Sequence, residues 1–484
     1  MNKETTGGIV AEEALPIKVT PYHHQVEAFL FAVQKFGLRD PGKTSDGVAL
    51  LMEMGTGKTI TSIAIAGALF NAGMIERILI VSPLSIVTVW KEEFAKFAIY
   101  DYTLQVLKGS GVKKQQRLHR LDGELQIAVV NYESAWRMEK ELLAWKPDLV
   151  IADEAHKLKD SRTKQSKGIH KIGDKAKYKL LLTGTLITNK ELDVFSQYRF
   201  LAPNIFGYSF YHFRNTYFDM LGYGNHTPVF RKRMMGDFLE KMHSVAFRVT
   251  KEECLDLPDV IEEVRTVELD AKARKIYDQI EEESFVELEG AEVSALNILT
   301  KLLRLSQITG GHLTDDEGDT TIISKAKLEA LSDIVDTALE EGKKLVVMAR
   351  FIPELNDIQN LLTKKGIRHS VIRGGVKDRD EQIRAFQEDV DCMVFVGQIA
   401  AAGLGITLTA SSTMVFFSLD YSMANFEQAK SRIHRISQKK SCLYIYLIAK
   451  DTVDLKVLRA LRSKVELAKL LVDDYRAGRH PYRN

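Results

Sequence analysis

A short segment near the start of the sequence, EMGTGKT, has the residue types that bind phosphate groups. It follows an apolar run, VALLM, and precedes a stretch that is typical of a helix. Backbone N–H groups of such a loop and the helix dipole attract an anion, a lysine adds a point charge, and the hydroxyl of Thr59 is the predicted Mg²⁺ ligand. The standard pattern has a glycine where Met52 stands, so a plain glycine turn with a solvated lysine is the alternative. The residues expected to line the site are Met54, Gly55, Thr56, Gly57, Lys58, Thr59 and Ile60.

Two adjacent carboxylates, Asp153 and Glu154, stand where the apolar run DLVIAD ends. Side chains at the carboxyl ends of parallel strands project into the crevice where ligands bind. Asp153 is therefore predicted to hold the Mg²⁺ of a nucleotide and Glu154 to orient water. The alternative is an acidic helix N-terminus. Thr183, in LLLTGTLITN, is expected at the same sheet edge, where its hydroxyl would link the acid pair to a polynucleotide; a plain turn is the alternative.

A third candidate group lies near the C-terminus, in NFEQAKSRIHRISQ. This stretch predicts a helix that carries Gln428, Arg432 and Arg435 on one face. Two guanidiniums and an amide make a poor core stripe but a good clamp for phosphate, although exposed arginines are usually only solvated. An arginine brought to a transferring phosphoryl group contributes about 10³- to 10⁵-fold in rate.

The loop AAAGLGITLTA precedes that helix and is rich in glycine and threonine. Its free N–H groups and hydroxyls suit a phosphodiester backbone, and a small-residue connection is the alternative. Gly403 and Thr407 are predicted DNA contacts, and Gly405 is a predicted nucleotide contact.

Continuous apolar runs separated by amphipathic stretches are typical of strands that are covered on both faces, and hence of a parallel α/β sheet. Five runs occur in the first half of the chain, and five occur in the second half. The first five are VALLM, RILIVS, LQIAVV, DLVIAD and KLLLT, and the second five are KLVVMA, RHSVI, CMVFV, TMVFFS and CLYIYLI. The same architecture is therefore predicted twice.

The chain is expected to divide near Phe247 into lobes of residues 1–247 and 248–484. The first lobe has an aromatic-rich helical insertion around 190–245. The second has a helical protrusion around 268–312 and a C-terminal helical tail.

Composition limits the class of protein. Lys plus Arg (67) nearly balances Asp plus Glu (65) over 484 residues, so any nucleic-acid surface must be local. Three widely spaced cysteines fit neither a disulfide framework nor a zinc site and indicate a reducing compartment. With no signal-peptide pattern and no long apolar run, the sequence favours a cytoplasmic protein without a membrane segment.

The order of these motifs resembles that of the superfamily 2 helicase-like ATPases, and specifically the Swi/Snf branch, over roughly Tyr22 to Leu461. The carrying segments are YHHQ, EMGTGKT, SPLSIVTVWKEEF, VNYES, DEAHKLKD, LLLTGTLITN, FRVTKEECLDLP, GLGITLTA and QAKSRIHRISQ. The sequence departs from the pattern of this family at Thr56, Leu186, Ala400 and Ser437.

The resemblance implies two tandem RecA-like P-loop lobes with a cleft between them, where ATP and Mg²⁺ would meet Lys58, Asp153, Glu154, Arg432 and Arg435. It also implies an adenine contact for Gln25, for which a surface amide is the alternative, and tracking along double-stranded DNA. A monomeric, minimal motor of bacterial or phage origin, acting with protein partners, fits the compact chain. A strand-separating helicase on DNA or RNA, and an ATP-gated DNA clamp with low turnover, are the alternatives.

A basic run follows the acid pair, with nine Lys or Arg between 157 and 179 against two Asp. Neutralising phosphates with such residues gives salt-dependent binding without sequence preference, although basic runs are ordinarily solvated faces. Lys157, Lys159 and Arg162 are the predicted DNA contacts.

Overall fold

The computed structural model describes residues 15–39, 44–188, 190–221, 227–254, 257–290, 295–314, 319–376, 378–402, 406–436 and 438–472. The chain forms two compact units, Met1–Cys254 and Leu255–Asn484. The boundary predicted at Phe247 is corrected, because Phe247 lies inside a strand that pairs with the first sheet. A cut after Phe247 would divide this strand, Ala246–Val249, which lies at the edge of that sheet.

The first unit is built on a seven-stranded parallel sheet in the order β3-β4-β2-β5-β6-β1-β9. A separate antiparallel hairpin, β7-β8, belongs to the aromatic-rich insertion. The strands are β1 Gly47–Met52, β2 Arg77–Ser82, β3 Thr103–Val106, β4 Gln126–Asn131, β5 Leu149–Asp153, β6 Tyr178–Leu182, β7 Phe218–Leu221, β8 Thr227–Phe230 and β9 Ala246–Val249.

Helices cover this sheet, and apolar residues of β1 pack with those of α1, α2 and α3 in one core. Short 3-10 helices span Leu84–Ile86, Ala155–Leu158 and Lys232–Met234. The α-helices are α1 His23–Lys35, α2 Lys58–Asn71, α3 Val89–Phe97, α4 Gly111–His119, α5 Tyr132–Arg137, α6 Glu139–Trp145, α7 Lys164–Gly173, α8 Asp193–Leu201, α9 Pro203–Phe206, α10 Phe210–Tyr217, α11 Met235–His243 and α12 Lys251–Cys254.

The second unit is built on a six-stranded parallel sheet in the order β10-β17-β16-β13-β15-β14, with an apolar core on each face. A two-stranded antiparallel sheet, β11-β12, accompanies it. The strands are β10 Val260–Val267, β11 His312–Thr314, β12 Thr320–Ile322, β13 Leu345–Ala349, β14 His369–Ile372, β15 Val394–Gln398, β16 Thr413–Phe416 and β17 Cys442–Ala449.

Helices flank this second sheet as well. They are α13 Ala271–Gly290, α14 Ala295–Thr309, α15 Ala326–Glu340, α16 Ile352–Lys364, α17 Arg379–Glu388, α18 Ile399–Ala402, α19 Met423–Lys430 and α20 Val453–Val472. Helices α13 and α14 occupy the segment expected to protrude, and α20 the segment expected to be a tail. Within the described ranges, no helix combines the length and apolarity needed to cross a bilayer.

All ten predicted strands are present, and the prediction of two parallel α/β sheets flanked by helices is confirmed. Three parallel strands were not predicted. β3 and β9 are only four residues long, and β10 carries charged residues along an edge of its sheet. Short or charged edge strands lack the continuous apolar run that reveals a buried strand.

Candidate nucleotide site and basic segment

The phosphate loop connects β1 to α2. Gly55 and Gly57 have φ angles of 91° and 95°, in the left-handed region that glycine adopts without strain. Gly57 is also the N-cap of α2, and a Cβ there would lie 2.1 Å from Nε2 of Gln25. The backbone conformation therefore requires glycine at position 57, and a larger residue would also displace the Gln25 amide.

Lys58 is the first residue of α2, and its side chain turns back toward the end of β1. Its Nζ donates hydrogen bonds to the carbonyls of Met52, at 2.9 Å, and Glu53, at 3.3 Å. Burial lowers the pKa of Lys58, while the nearby carboxylates of Glu154 and Asp153 act in the opposite direction. The lysine is thus held at the start of the loop by carbonyl groups that carry no net charge.

The backbone of Thr56 is held by helix α1. Nε2 of Gln25 donates to the Thr56 carbonyl at 3.2 Å, and a ring nitrogen of His24 lies 2.7 Å from the same oxygen. Oε1 of Gln25 accepts from the N–H of Tyr22 at 3.0 Å. The Thr56 hydroxyl, at the position that departs from the family pattern, donates to the Glu53 carbonyl at 2.8 Å. Gln25 therefore supports the loop, and its contact with adenine stays a prediction.

The other loop residues differ in exposure. Met54 and Thr59 are partly exposed, so both side chains lie at the surface of the loop. Ile60 is buried and belongs to the apolar core beneath α2. Ile60 thus supports the helix by packing, and its contact with nucleotide stays a prediction.

Asp153 ends β5, and its carboxylate is fixed by two donors. Nε1 of Trp90 donates to Oδ2 at 3.0 Å, and the N–H of Glu154 donates to Oδ1 at 2.9 Å. The hydroxyl of Tyr132 donates to the Asp153 carbonyl at 2.7 Å. Burial and the adjacent charge of Glu154 raise the pKa of Asp153, while Lys58 opposes the shift. A cation beside this carboxylate would favour its charged form.

Glu154 has a φ angle of 50°, which is uncommon for a residue with a side chain. It caps the 3-10 helix Ala155–Leu158, so the acid pair precedes a short tight turn of helix. Oε2 of Glu154 lies 3.3 Å from Nδ1 of His156, and both side chains are buried. Left-handed backbone at a residue of this kind is a feature that clusters at functional sites.

Thr183 follows β6 and is fully buried. Its hydroxyl oxygen accepts from the N–H of Thr185 at 3.0 Å, so it closes the turn on itself. A Cβ on Gly184 would lie 3.4 Å from the Met52 carbonyl, which places the turn against the phosphate loop. The structure therefore gives Thr183 a role in shaping the turn and leaves it without the exposure that a DNA contact needs.

The order of the strands explains why these groups converge. β1 and β5 are the two neighbours of β6, and all three run parallel. Their carboxyl ends lie at one edge of the sheet. Lys58, after β1, and the acid pair Asp153 and Glu154, at the end of β5, therefore lie on either side of the turn after β6. In the described part of the chain, no three His, Cys, Asp or Glu side chains form a metal cluster. This donor set fits Mg²⁺ that arrives with phosphate oxygens, since Mg²⁺ is commonly bound by one or two carboxylates and substrate.

The basic run after the acid pair divides into two parts. Lys157 and Lys159 are exposed, and Nζ of Lys159 donates to the Thr188 hydroxyl at 3.3 Å. Arg162 is exposed and pairs with Asp160 at 3.0 Å. Further along, Lys171 pairs with Glu139, Lys177 pairs with Asp148, and Lys179 is buried, whereas Lys164, Lys167 and Lys175 are exposed. Lys157, Lys159 and Arg162 are thus exposed, and their contact with DNA stays a prediction.

The predicted helix through the second-unit arginines is shorter than expected. α19 ends at Lys430, so Arg432 and Arg435 lie in the turns that follow it. The Gln428 carbonyl accepts from the Ser431 hydroxyl at 2.8 Å and from Nε of Arg432 at 2.9 Å. Side chains that take this carbonyl compete with the next helical N–H, which explains the early end.

Both arginines nevertheless reach the same loop. Nη1 of Arg432 donates to the Ile406 carbonyl at 3.0 Å, and Nη1 of Arg435 donates to it at 3.3 Å. Arg435 also donates to the Thr407 hydroxyl at 2.7 Å. The side chains of Gln428 and Arg432 are buried, whereas Arg435 and Thr407 are partly exposed. The structure thus brings Arg432, Arg435 and Thr407 together.

The predicted contacts at Gly403 and Gly405 lie outside the described residues.

Sequence reasoning assigned no role in the site to Trp90, Tyr132 or Arg248. Trp90 and Tyr132 fix Asp153, and both stand in segments, VTVW and VNYES, that carry the resemblance. Arg248 is buried on β9, and its Nη1 donates to the Leu51 carbonyl at 3.0 Å. Arg248 also stands in a segment that carries the resemblance, FRVTKEECLDLP, and that was the available signal.

Comparison with known proteins identifies the family of this chain. The SNF2-related domain matches residues 25–311, and the helicase conserved C-terminal domain matches residues 326–437. An uncharacterized ATP-dependent helicase of Mycoplasma genitalium is 30% identical over 437 residues, covering 88% of this chain and 40% of that protein. Chromodomain-helicase-DNA-binding protein 1-like of Mus musculus is 27% identical over 471 residues, covering 93% of this chain and 50% of that protein.

Among solved structures, the Sulfolobus solfataricus SWI2/SNF2 ATPase core in complex with dsDNA is 26% identical, with a TM-score of 0.46. The alignment covers 98% of this chain and 96% of that one. The chain spans half or less of the two curated relatives named above.

Proposed function

We propose that this chain is a motor that hydrolyses ATP to move along double-stranded DNA. The chain belongs to the SNF2-related family of helicase-like ATPases. The observation that carries the proposal is the direct succession of two features. The exposed cations Lys157 and Lys159 follow immediately after the acid pair Asp153–Glu154. Charge that can meet DNA phosphates and acids that can act on ATP thus share one short segment.

Lys58 would bind the terminal phosphates of ATP. Its present partners are the Met52 and Glu53 carbonyls, which it can exchange for phosphate oxygens without leaving a buried carboxylate unpaired. A charge-assisted bond to phosphate is stronger than a bond to a neutral carbonyl. Loop N–H groups and the start of α2 would complete the anion site.

Thr59 and Asp153 would hold Mg²⁺ together with phosphate oxygens. Mg²⁺ neutralises charge that develops on the phosphates during transfer. Trp90 and the N–H of Glu154 orient the Asp153 carboxylate for this task.

Glu154 would orient the attacking water and accept its proton. Its backbone is left-handed, and its carboxylate lies 3.3 Å from Nδ1 of His156.

Arg432 and Arg435 of the second unit would stabilise the charge that spreads over the transferring phosphoryl group. Both side chains donate hydrogen bonds to the Ile406 carbonyl, a neutral acceptor that phosphate oxygens can replace, as they can the carbonyl partners of Lys58. Hydrolysis would then require groups from both units, so each ATP cycle would couple their motion. Such coupling turns ATP hydrolysis into steps along DNA.

The further elements of the proposal are a cytoplasmic site of action, a monomeric motor and protein partners that direct it. The three cysteines of the chain are free thiols, and Cys392 and Cys442 are buried. Free thiols suit a reducing compartment.

ATP turnover measured with double-stranded DNA, single-stranded DNA and RNA tests the proposal. We expect linear double-stranded DNA to stimulate turnover most, with the stimulation falling as salt rises. Stimulation by RNA or single-stranded DNA alone would contradict it. The Lys58→Ala variant is the control for contaminating ATPases.

A further inference from the structure

Arg248 joins three parts of the first unit through one buried guanidinium. It lies on β9, directly opposite Leu51 of β1, with 7% of its surface exposed. Nη1 donates to the Leu51 carbonyl at 3.0 Å and to the Gly184 carbonyl at 3.4 Å, and Nη2 contacts Oε1 of Glu53 at 3.3 Å. The end of β1, the turn after β6 and the first residue of the phosphate loop thus share one cation.

Glu53 is where the phosphate loop is fastened. Its carbonyl accepts from the N–H of Thr56 at 3.3 Å, from the Thr56 hydroxyl at 2.8 Å and from Nζ of Lys58 at 3.3 Å. Its own N–H donates to the Val249 carbonyl at 3.1 Å. Any shift of Glu53 would therefore move the loop and the lysine together.

The same carboxylate also holds the chain where it leaves the first unit. Oε2 of Glu53 accepts from the N–H of Lys251 at 3.1 Å, at the start of α12, the last helix of this unit. Arg248 and Lys251 therefore grip the two oxygens of one side chain. The phosphate loop is tied by this side chain to the segment that continues into the second unit.

We propose that Arg248 and Glu53 form a positioning pair that sets the phosphate loop for ATP and ties it to the exit segment at Lys251. The inference rests on the proposed binding of ATP by this loop. A guanidinium suits the task because its several donors meet carbonyl and carboxylate oxygens at once, whereas an ammonium meets them less completely. Arg248 touches no phosphate in this role and acts through Glu53.

The test is the Arg248→Met variant, which keeps an unbranched apolar stem and removes all five donors. Without the Arg248–Glu53 pair, part of the free energy of ATP binding must be used to order the phosphate loop, so the affinity for ATP falls. We expect KM and the Kd for ATP to rise about tenfold or more, while kcat at saturating ATP stays within about threefold. A role in overall stability alone would not separate KM from kcat.

Arg199→Met is the matched control. Arg199 on α8 makes two bonds to Asp174, at 2.7 and 2.8 Å, in the same unit. We expect this variant to leave KM unchanged even if it lowers the melting temperature. An Arg248→Met variant that matches Arg199→Met in KM and Kd would overturn the inference.

Two further variants keep the test decisive if Arg248→Met does not fold. Arg248→Lys should restore part of the ATP affinity, and Glu53→Ala should raise KM about as much as Arg248→Met does. The double variant should have a KM for ATP no higher than that of the worse single variant, because both substitutions remove the same positioning pair. Additive effects on KM, or loss of kcat at unchanged KM, would contradict the pairing. Failure of the wild-type protein to bind ATP would instead refute the proposed function.

Discussion

The phosphate-loop region of the first unit and the arginine region of the second unit differ in how their charged groups are held. In the first unit, groups after three neighbouring strands meet at one edge, and the carboxylate of Asp153 is fixed by a tryptophan and a backbone N–H. In the second unit, Arg432 and Arg435 follow a single helix and share the carbonyl of Ile406 in one loop.

The difference assigns separate steps to the two regions. A site whose groups are already held by hydrogen bonds loses less conformational entropy when it binds nucleotide. Arginines that hydrogen-bond to a neutral carbonyl can exchange it for a phosphate oxygen, which is the stronger partner. We therefore expect binding to depend on the first region and hydrolysis on both.

Arg435→Ala should have the largest effect and separate the tasks of the two regions most clearly. We expect DNA-stimulated turnover to fall by about 10³- to 10⁵-fold, while the Kd for ATP changes little, because the arginine acts on the transition state. The rate of DNA-stimulated ATP turnover and the Kd for ATP should be measured on the same preparation.

The control is Arg274→Ala, since Arg274 also bonds backbone carbonyls of the second unit, those of Lys450 and Asp451. Equal losses in both variants, or loss of ATP binding in Arg435→Ala, would show that the second region has no separate catalytic task.

Glu154→Gln should give a similar phenotype from the first unit, with a smaller effect. Removing the base should lower turnover by about 10²- to 10⁴-fold, and ATP should remain bound. Single-turnover hydrolysis measures the step directly. Glu141→Gln, whose carboxylate is bonded by Gln115 at 2.6 Å, is the control. Ordinary single-turnover rates in Glu154→Gln would remove this residue from the reaction.

Trp90→Phe tests whether the indole N–H is needed to orient the Asp153 carboxylate. The ring stays buried, but the donor to Oδ2 of Asp153 is lost. Loss of a group that orients a metal ligand typically costs about 10- to 100-fold in metal affinity or activity. We expect the Mg²⁺ concentration for half-maximal turnover to rise by about tenfold. An unchanged Mg²⁺ dependence would mean that the Glu154 N–H orients the carboxylate sufficiently.

Lys157→Gln with Lys159→Gln should have the smallest effect. We expect DNA affinity to fall about tenfold and the slope of log affinity against log salt to fall by about two, without change in the DNA-free ATPase rate. Lys171→Gln is the matched control from the same basic run, because Lys171 is paired with Glu139. A change in slope for Lys171→Gln alone would move the DNA surface to α7.

The sequence predicted the fold better than the details of the site. Ten buried strands and the groups at β1 and β5 could be read from apolar runs, because parallel strands covered on both faces have no polar alternation. The prediction of a helix through Arg435 was wrong, because the side chains of Ser431 and Arg432 donate to the Gln428 carbonyl. Helical spacing in the sequence does not show this competition between side chains and backbone. The bond from Trp90 to Asp153 joins residues far apart in sequence and needed the fold.

The central claim is movement along an intact duplex. Displacement of a third strand from a triplex and separation of a forked duplex, measured side by side with the same protein and ATP, test it most directly. We predict ATP-dependent release of the third strand while the fork stays paired, with neither reaction in the Lys58→Ala variant. Separation of the fork without release of the third strand would contradict the account.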